Sequence, residues 1–126
     1  MISAKILGSA AAAFLMGNAA SAQPAGEIGY ETGALGYDAL VAGDNALALQ
    51  QLEASEREHA KDPARLINLG QTYARLGRTG DAARMFMAAR DSSRNFDLVL
   101  ANGDVINSRD AAELALRNLN EQIARR

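Results

Sequence analysis

The chain has no cysteine, no tryptophan, one histidine and two prolines in 126 residues. Without cysteine there is no disulfide, no thiolate metal site, no cysteine nucleophile and no thiol to carry a lipid. His59, the only imidazole, has just Glu58 and Asp62 as sequence neighbours with oxygen ligands. That set makes a poor transition-metal site, so His59 reads as a solvated side chain near a helix end. Ser92, Ser93 and Ser108 lack an adjacent histidine or lysine that would activate a hydroxyl. No glycine-rich run resembles a phosphate loop. Glu53 and Glu56 fall at helical spacing on one face, whereas glycoside hydrolysis needs two carboxylates across a cleft. No basic stripe is present either: positive and negative residues are interleaved and the formal net charge is −2. This argues against nucleic acid as partner. The sequence therefore implies no metal, no cofactor and no catalytic cluster.

Long hydrophobic runs are confined to the first residues. Lys5 is followed by an uncharged apolar stretch from Ile6 to Met16, then by Ala20-Ser21-Ala22. A basic start, a short apolar core and a small-x-small end are the marks of a secretory signal peptide. The apolar stretch is shorter than the roughly 20 residues that cross a bilayer. Residues 1–22 are read as a signal peptide cleaved after Ala22, which places the protein in the periplasm or outside the cell. Residues 23–29, with Pro24, Gly26 and Gly29, read as a loose linker.

What remains is rich in alanine, leucine and arginine and poor in aromatics (5%), a balance that favours helices over strands. Turn signals at Gly43-Asp44-Asn45, Lys61-Asp62-Pro63, Gly77 to Gly80 and Asn102-Gly103 divide it. The spacing predicts helices over about Tyr30 to Ala42, Asn45 to Ala60, Pro63 to Leu76, Gly80 to Ser93 and Arg109 to Ala124. Pro63 suits a first helical turn, and Ser108 is the expected N-cap of the last helix. In residues 97–106, Leu98-Val99-Leu100 and Val105-Ile106 flank an Asn-Gly pair. This leaves a short β-hairpin and an irregular loop both open. Ala112, Leu116, Leu119 and Ile123 form an apolar stripe on the last helix, with Arg109, Glu113, Arg117, Asn120 and Glu121 off it. One packed face and one wet face suit a terminal cap.

The chain also compares with itself at an offset of 34 residues: Leu35 meets Leu69, Gly36 meets Gly70, Gly43 meets Gly77, Ala48 meets Ala82 and Leu52 meets Phe86. The agreeing positions are small or large apolar residues, as close packing of paired helices requires. Leu66, Leu69-Gly70, Tyr73, Gly77, Ala82, Phe86 and Ala89 stand at the spacing of the tetratricopeptide repeat, and residues 63–96 resemble it well. Residues 30–62 are a degenerate second copy in which Ala39 replaces the expected tyrosine. Ala60 and Arg94 stand where the closing prolines would be. The resemblance implies an all-α fold: two tetratricopeptide-like helical hairpins, residues 97–106 as loop or hairpin, and a capping helix within 107–126.

In that family the first helix of each pair lines a concave groove. The resemblance therefore implies that Tyr37, Leu40, Val41, Ile67, Asn68, Gln71 and Arg75 face a protein or peptide partner. Asn68 matches a residue that hydrogen-bonds peptide backbone in the family. Gly33 and Tyr37 stand where a carboxylate-clamping set needs lysine and asparagine, so a C-terminal carboxylate ligand is not implied. The leading expectation is an exported interaction scaffold and not an enzyme. The alternatives are a self-associating structural protein of the envelope, a homodimer, and, behind both, a carboxylate-dependent enzyme.

Overall fold

Asp62-Pro63 fixes where the longest-buried helix begins. In the computed structural model, which describes residues 24, 25, 27, 29–100 and 102–125, the order is α1 (Tyr37–Ala42), α2 (Asn45–Ala54), α3 (Glu56–His59), α4 (Pro63–Arg75), α5 (Thr79–Asp91), β1 (Asp97–Val99), β2 (Val105–Asn107) and α6 (Ser108–Ala124). The architecture is mostly helical with one small antiparallel sheet. The signal peptide expected over residues 1–22 lies outside the described residues. Among the described residues, no helix is long and apolar enough to cross a membrane.

Helix α4 is the spine, packed against α2, α5 and α6. Every residue from Pro63 to Thr72 is buried, although Arg65, Asn68, Gln71 and Thr72 are polar. Buried polar groups are tolerable where they are hydrogen-bonded, and α4 supplies partners from its surroundings. Arg65 Nε donates to the Leu52 carbonyl at 2.9 Å, in the last turn of α2. Arg75 Nη1 donates to the Leu40 carbonyl at 2.8 Å, in the last turn of α1. Both guanidinium groups thus meet carbonyls at the negative end of a helix. Burial pulls both below their ordinary arginine pKa.

The turns that follow α1 and α4 share the same capping hydrogen bonds, although α1 has 6 residues and α4 has 13. Gly43 (φ 82°) ends α1 and Gly77 (φ 83°) follows α4, a left-handed backbone that glycine adopts most easily. Asp44 N–H donates to the Ala39 carbonyl at 2.8 Å and Gly43 N–H to Leu40 at 3.1 Å. Arg78 N–H to Tyr73 (2.8 Å) and Gly77 N–H to Ala74 (3.1 Å) form the same pair 34 positions later. A Cβ on Gly36 would lie 3.2 Å from the Leu52 side chain, and one on Gly70 would lie 2.5 Å from the Phe86 ring. Ala48 and Ala82 are both fully buried.

Three elements depart from the sequence reading. The first helix does not begin at Tyr30: residues 29–36 are turns, with Gly33 and Gly36 at φ 86° and 61°, and helix starts at Tyr37. The second helix breaks at Ser55, whose hydroxyl donates to the carbonyls of Ala34 (2.7 Å) and Leu52 (3.1 Å). Side-chain bonds of this kind compete with helical hydrogen bonds. The N-cap of α6 is Asn107, whose Oδ1 accepts from Arg109 N–H at 2.9 Å. Ser108 is instead buried against residues 95–96, donating to Asn95 Oδ1 and accepting from Phe96 N–H. Residues 97–99 and 105–107 do pair as strands, Leu98 opposite Ile106. On α6 the buried face is Ser108, Ala111, Ala112, Ala115 and Leu119, while Ile123 is exposed. Of the predicted stripe, Ala112 and Leu119 are buried and Leu116 packs against the core; only Ile123, at the helix end, lies outside it.

Candidate binding site

The residues expected to line an open groove are mostly inside. Tyr37, Leu40, Ile67, Asn68 and Gln71 are buried, and Val41 and Arg75 are half-buried. Leu40 packs with Ala48, Leu52 and Leu69, and Ile67 packs in the larger core with Phe86 and Leu98. Asn68 binds peptide backbone, but that of its own chain: Ala25 and Leu35. At Asn68 the expected groove is therefore closed by Ala25 and Leu35 of the same chain. The same contacts correct the loose linker over 23–29, since Pro24 and Ala25 are fully buried.

The covering segment is held by polar groups. The Glu27 carboxylate accepts from three main-chain N–H groups: Gly33 at 2.9 Å, Leu35 at 3.0 Å and Tyr37 at 3.1 Å. Tyr30 donates its hydroxyl to Asp62 Oδ2 at 2.7 Å, while Asp62 Oδ1 accepts from Ala64 N–H at 2.8 Å and caps α4. Burial, then the hydrogen bond to Asp62, push the Tyr30 phenol above its ordinary range. His59 is not solvated as expected. Its ring lies edge-on to Tyr30 and its Nε2 pairs with Glu31 Oε1 at 3.0 Å. That bond draws the Glu31 carboxyl below its ordinary value. Among the described residues, no group of three or more His, Cys, Asp or Glu is gathered for a metal.

Two of the expected partner-facing residues do line an opening. Gln71, Ala74 and Arg75 of α4, Phe86 of α5, and Ala115, Leu119 and Gln122 of α6 surround a cleft of about 50 Å³. Phe86, Ala115 and Leu119 give it an apolar lining beside Gln71, Arg75 and Gln122. This volume takes a few waters or the tip of a side chain, not a large cofactor. Gln122 was not anticipated, because it lies off the apolar stripe by which the last helix is recognised. Glu27 was missed as well, since nothing in its local sequence announces a carboxylate meeting N–H groups six to ten residues away. Asp62 could have been found: an aspartate directly before a proline at a helix start is a cap signal. Comparison of the chain with protein-family models, with curated proteins and with solved structures finds no match.

Proposed function

We propose that this chain is an exported protein-binding module, not an enzyme, built from two tetratricopeptide-like helix pairs and a terminal helix. The observation that carries the reading is the recurrence at an offset of 34 residues: the same capping hydrogen bonds after α1 and α4, and Gly36 and Gly70 each set against a large side chain of the following helix. Stacked helix pairs of this kind present continuous faces to partners, and the job resides in the side chains of those faces. Export is supported by the sequence of residues 1–22.

The partner contact falls at the α4–α6 cleft. A partner side chain would cover Phe86 and Leu119 while its neighbouring polar groups meet Gln71, Arg75 and Gln122. A cleft this small anchors one side chain, so the contact is modest in area and affinity. A photo-crosslinking residue at Gln122, compared with one at the exposed Arg57 on α3, tests it. A partner of defined mass should be captured in the cell envelope from position 122 and not from 57. Equal capture from both positions, or none from 122, would remove the cleft as the binding site.

A further inference from the structure

Asn102 is the one asparagine in the chain that is followed by glycine. Both residues stand exposed at the tip of the β1–β2 hairpin. Gly103 takes a left-handed φ of 94°, and a Cβ there would meet nothing within 4 Å. The Asn102 amide is bonded at both ends to Asp104: its Oδ1 accepts from the Asp104 N–H at 2.9 Å, and its Nδ2 donates to Asp104 Oδ2 at 3.0 Å. The Gly103 N–H donates to the Leu100 carbonyl at 2.8 Å, and the Leu100 N–H donates to the Asp104 carbonyl at 2.8 Å. Asparagine is among the chemically labile side chains, most of all where the next main-chain nitrogen is unhindered.

We propose that Asn102 is a site of spontaneous deamidation whose rate the hairpin holds down. In the reaction the Gly103 nitrogen loses its proton to hydroxide and attacks Asn102 Cγ. A nitrogen–carbon bond forms, the Cγ–Nδ2 bond breaks, and Nδ2 leaves as ammonia with a proton from water. Water then opens the five-membered imide at either carbonyl, leaving aspartate or isoaspartate at position 102. Water is the only reagent consumed, and nothing is oxidised or reduced. Glycine offers no side chain to hinder the attack. The Asp104 N–H sits on the oxygen that gains charge as the nitrogen adds, as an oxyanion donor does. The Gly103 N–H works the other way. Its proton is held by Leu100, and the nitrogen is no nucleophile until that bond opens. Reaction therefore proceeds from chains whose turn has opened locally. Asn107 is the contrast: the next residue, Ser108, is fully buried and donates its N–H to the Phe96 carbonyl at 2.8 Å. Conversion at 102 would loosen the hairpin from its tip. Aspartate there sets a second carboxylate beside Asp104, where Nδ2 now donates, and like charges repel. Isoaspartate adds a carbon to the main chain between Leu100 and Asp104, so their hydrogen bonds lose register. Leu98 and Leu100 on this arm are buried, and Leu100 stands opposite Ala25. The site is separate from the α4–α6 cleft, and neither reading requires the other.

The test keeps the full chain at mildly alkaline pH beside an unfolded synthetic peptide of residues 97–107. Mass spectrometry and isoaspartyl methyltransferase labelling then map the converted positions. Asn102 should convert in the chain at least about tenfold more slowly than in the peptide, yet at least about tenfold faster than Asn107 of the same chain. Ile106→Ala, which trims the residue opposite Leu98, should raise the rate at Asn102 toward that of the peptide. If that variant fails to fold, urea below the unfolding midpoint should raise the parent's rate in its place. An Asn102 that stays intact even in the loosened chain, or converts no faster than Asn107, overturns the site. A rate equal to the peptide's, unmoved by Ile106→Ala or by urea, overturns the hairpin's control of it.

Discussion

One added methyl group should have opposite effects at Gly70 and Gly80. Both are helical glycines, and alanine gains up to about 1 kcal/mol over glycine in a helix. At Gly80 a Cβ meets nothing within 4 Å, so Gly80→Ala should stabilise by a few tenths of a kcal/mol up to about 1 kcal/mol. At Gly70 the new atom would lie 2.5 to 2.6 Å from two carbons of the Phe86 ring. Phe86 is buried, and the contact falls on the body of its ring, so the whole ring must shift to relieve it. Overpacking of about 1–3 kcal/mol then outweighs the helical gain, and Gly70→Ala should be destabilised by about 1–2 kcal/mol net. Urea denaturation of the two variants measures both signs. Phe86→Leu in the Gly70→Ala background should recover part of the loss if the ring is the obstacle. A Gly70→Ala chain as stable as the parent would mean that α4 and α5 do not cross at this contact.

The start of α4 ties an element to its neighbours through one carboxylate, and it makes stability depend on alkaline pH. Because the folded-state pKa of Tyr30 is raised, the unfolded chain ionises first. The contribution is fully present below the ordinary tyrosine value of about 10 and is lost as pH rises beyond it. Ionised Tyr30 would also set one anion against another, Asp62. The parent's urea midpoint should fall above about pH 10, and Tyr30→Phe should flatten that fall while costing about 1 kcal/mol at neutral pH through the lost hydrogen bond. Some slope should persist, because burial, with Asp38 and Glu27 nearby, also raises Tyr37. An unchanged alkaline slope in Tyr30→Phe would remove Tyr30 as its source.

At this scale the sequence was readable where a residue type has one strong local use. Pro63 starts α4 and Gly43 and Gly77 follow helix ends, whereas Asn102-Gly103 left hairpin and loop open until the pairing of β1 with β2 decided it. It misled where a distant partner decides. Residues 30–36 have helical spacing, but Glu27 takes the N–H groups of Gly33, Leu35 and Tyr37. The face expected to bind a partner carries Asn68 and Arg75. What could not be seen was that the carbonyls they serve belong to Ala25, Leu35 and Leu40 of the same chain. Gln71 and Arg75 stand beside an opening that Gln122 of α6 also lines.

The molecule as a whole therefore divides by the kind of interaction that holds each part. Helices α4, α5 and α6 and the hairpin share an apolar core that includes Ile67, Phe86, Leu98 and Leu119. Opening any one of them exposes the others. Residues 24–36 contribute Ala25, Leu35 and Tyr30 to that core, and much of their remaining attachment is polar: Glu27 to the 33–37 turn, Asn68 to Ala25, Tyr30 to Asp62, His59 to Glu31. Such a segment opens at a lower free energy than the core it covers, because less apolar area is exposed when it leaves. Amide hydrogen exchange should therefore give α4 and α5 the protection of global unfolding and give Gly33, Leu35 and Tyr37 a smaller value. Glu27→Ala removes the acceptor from those three N–H groups. Hydrogen bonds to a charged group are worth about 1.5–3 kcal/mol, so their protection should fall by one to two orders of magnitude. Core amides should shift only as far as global stability does. If all amides lost protection equally, the segment and the core would be one cooperative unit, and the covering of the α4 face would be permanent, not exchangeable.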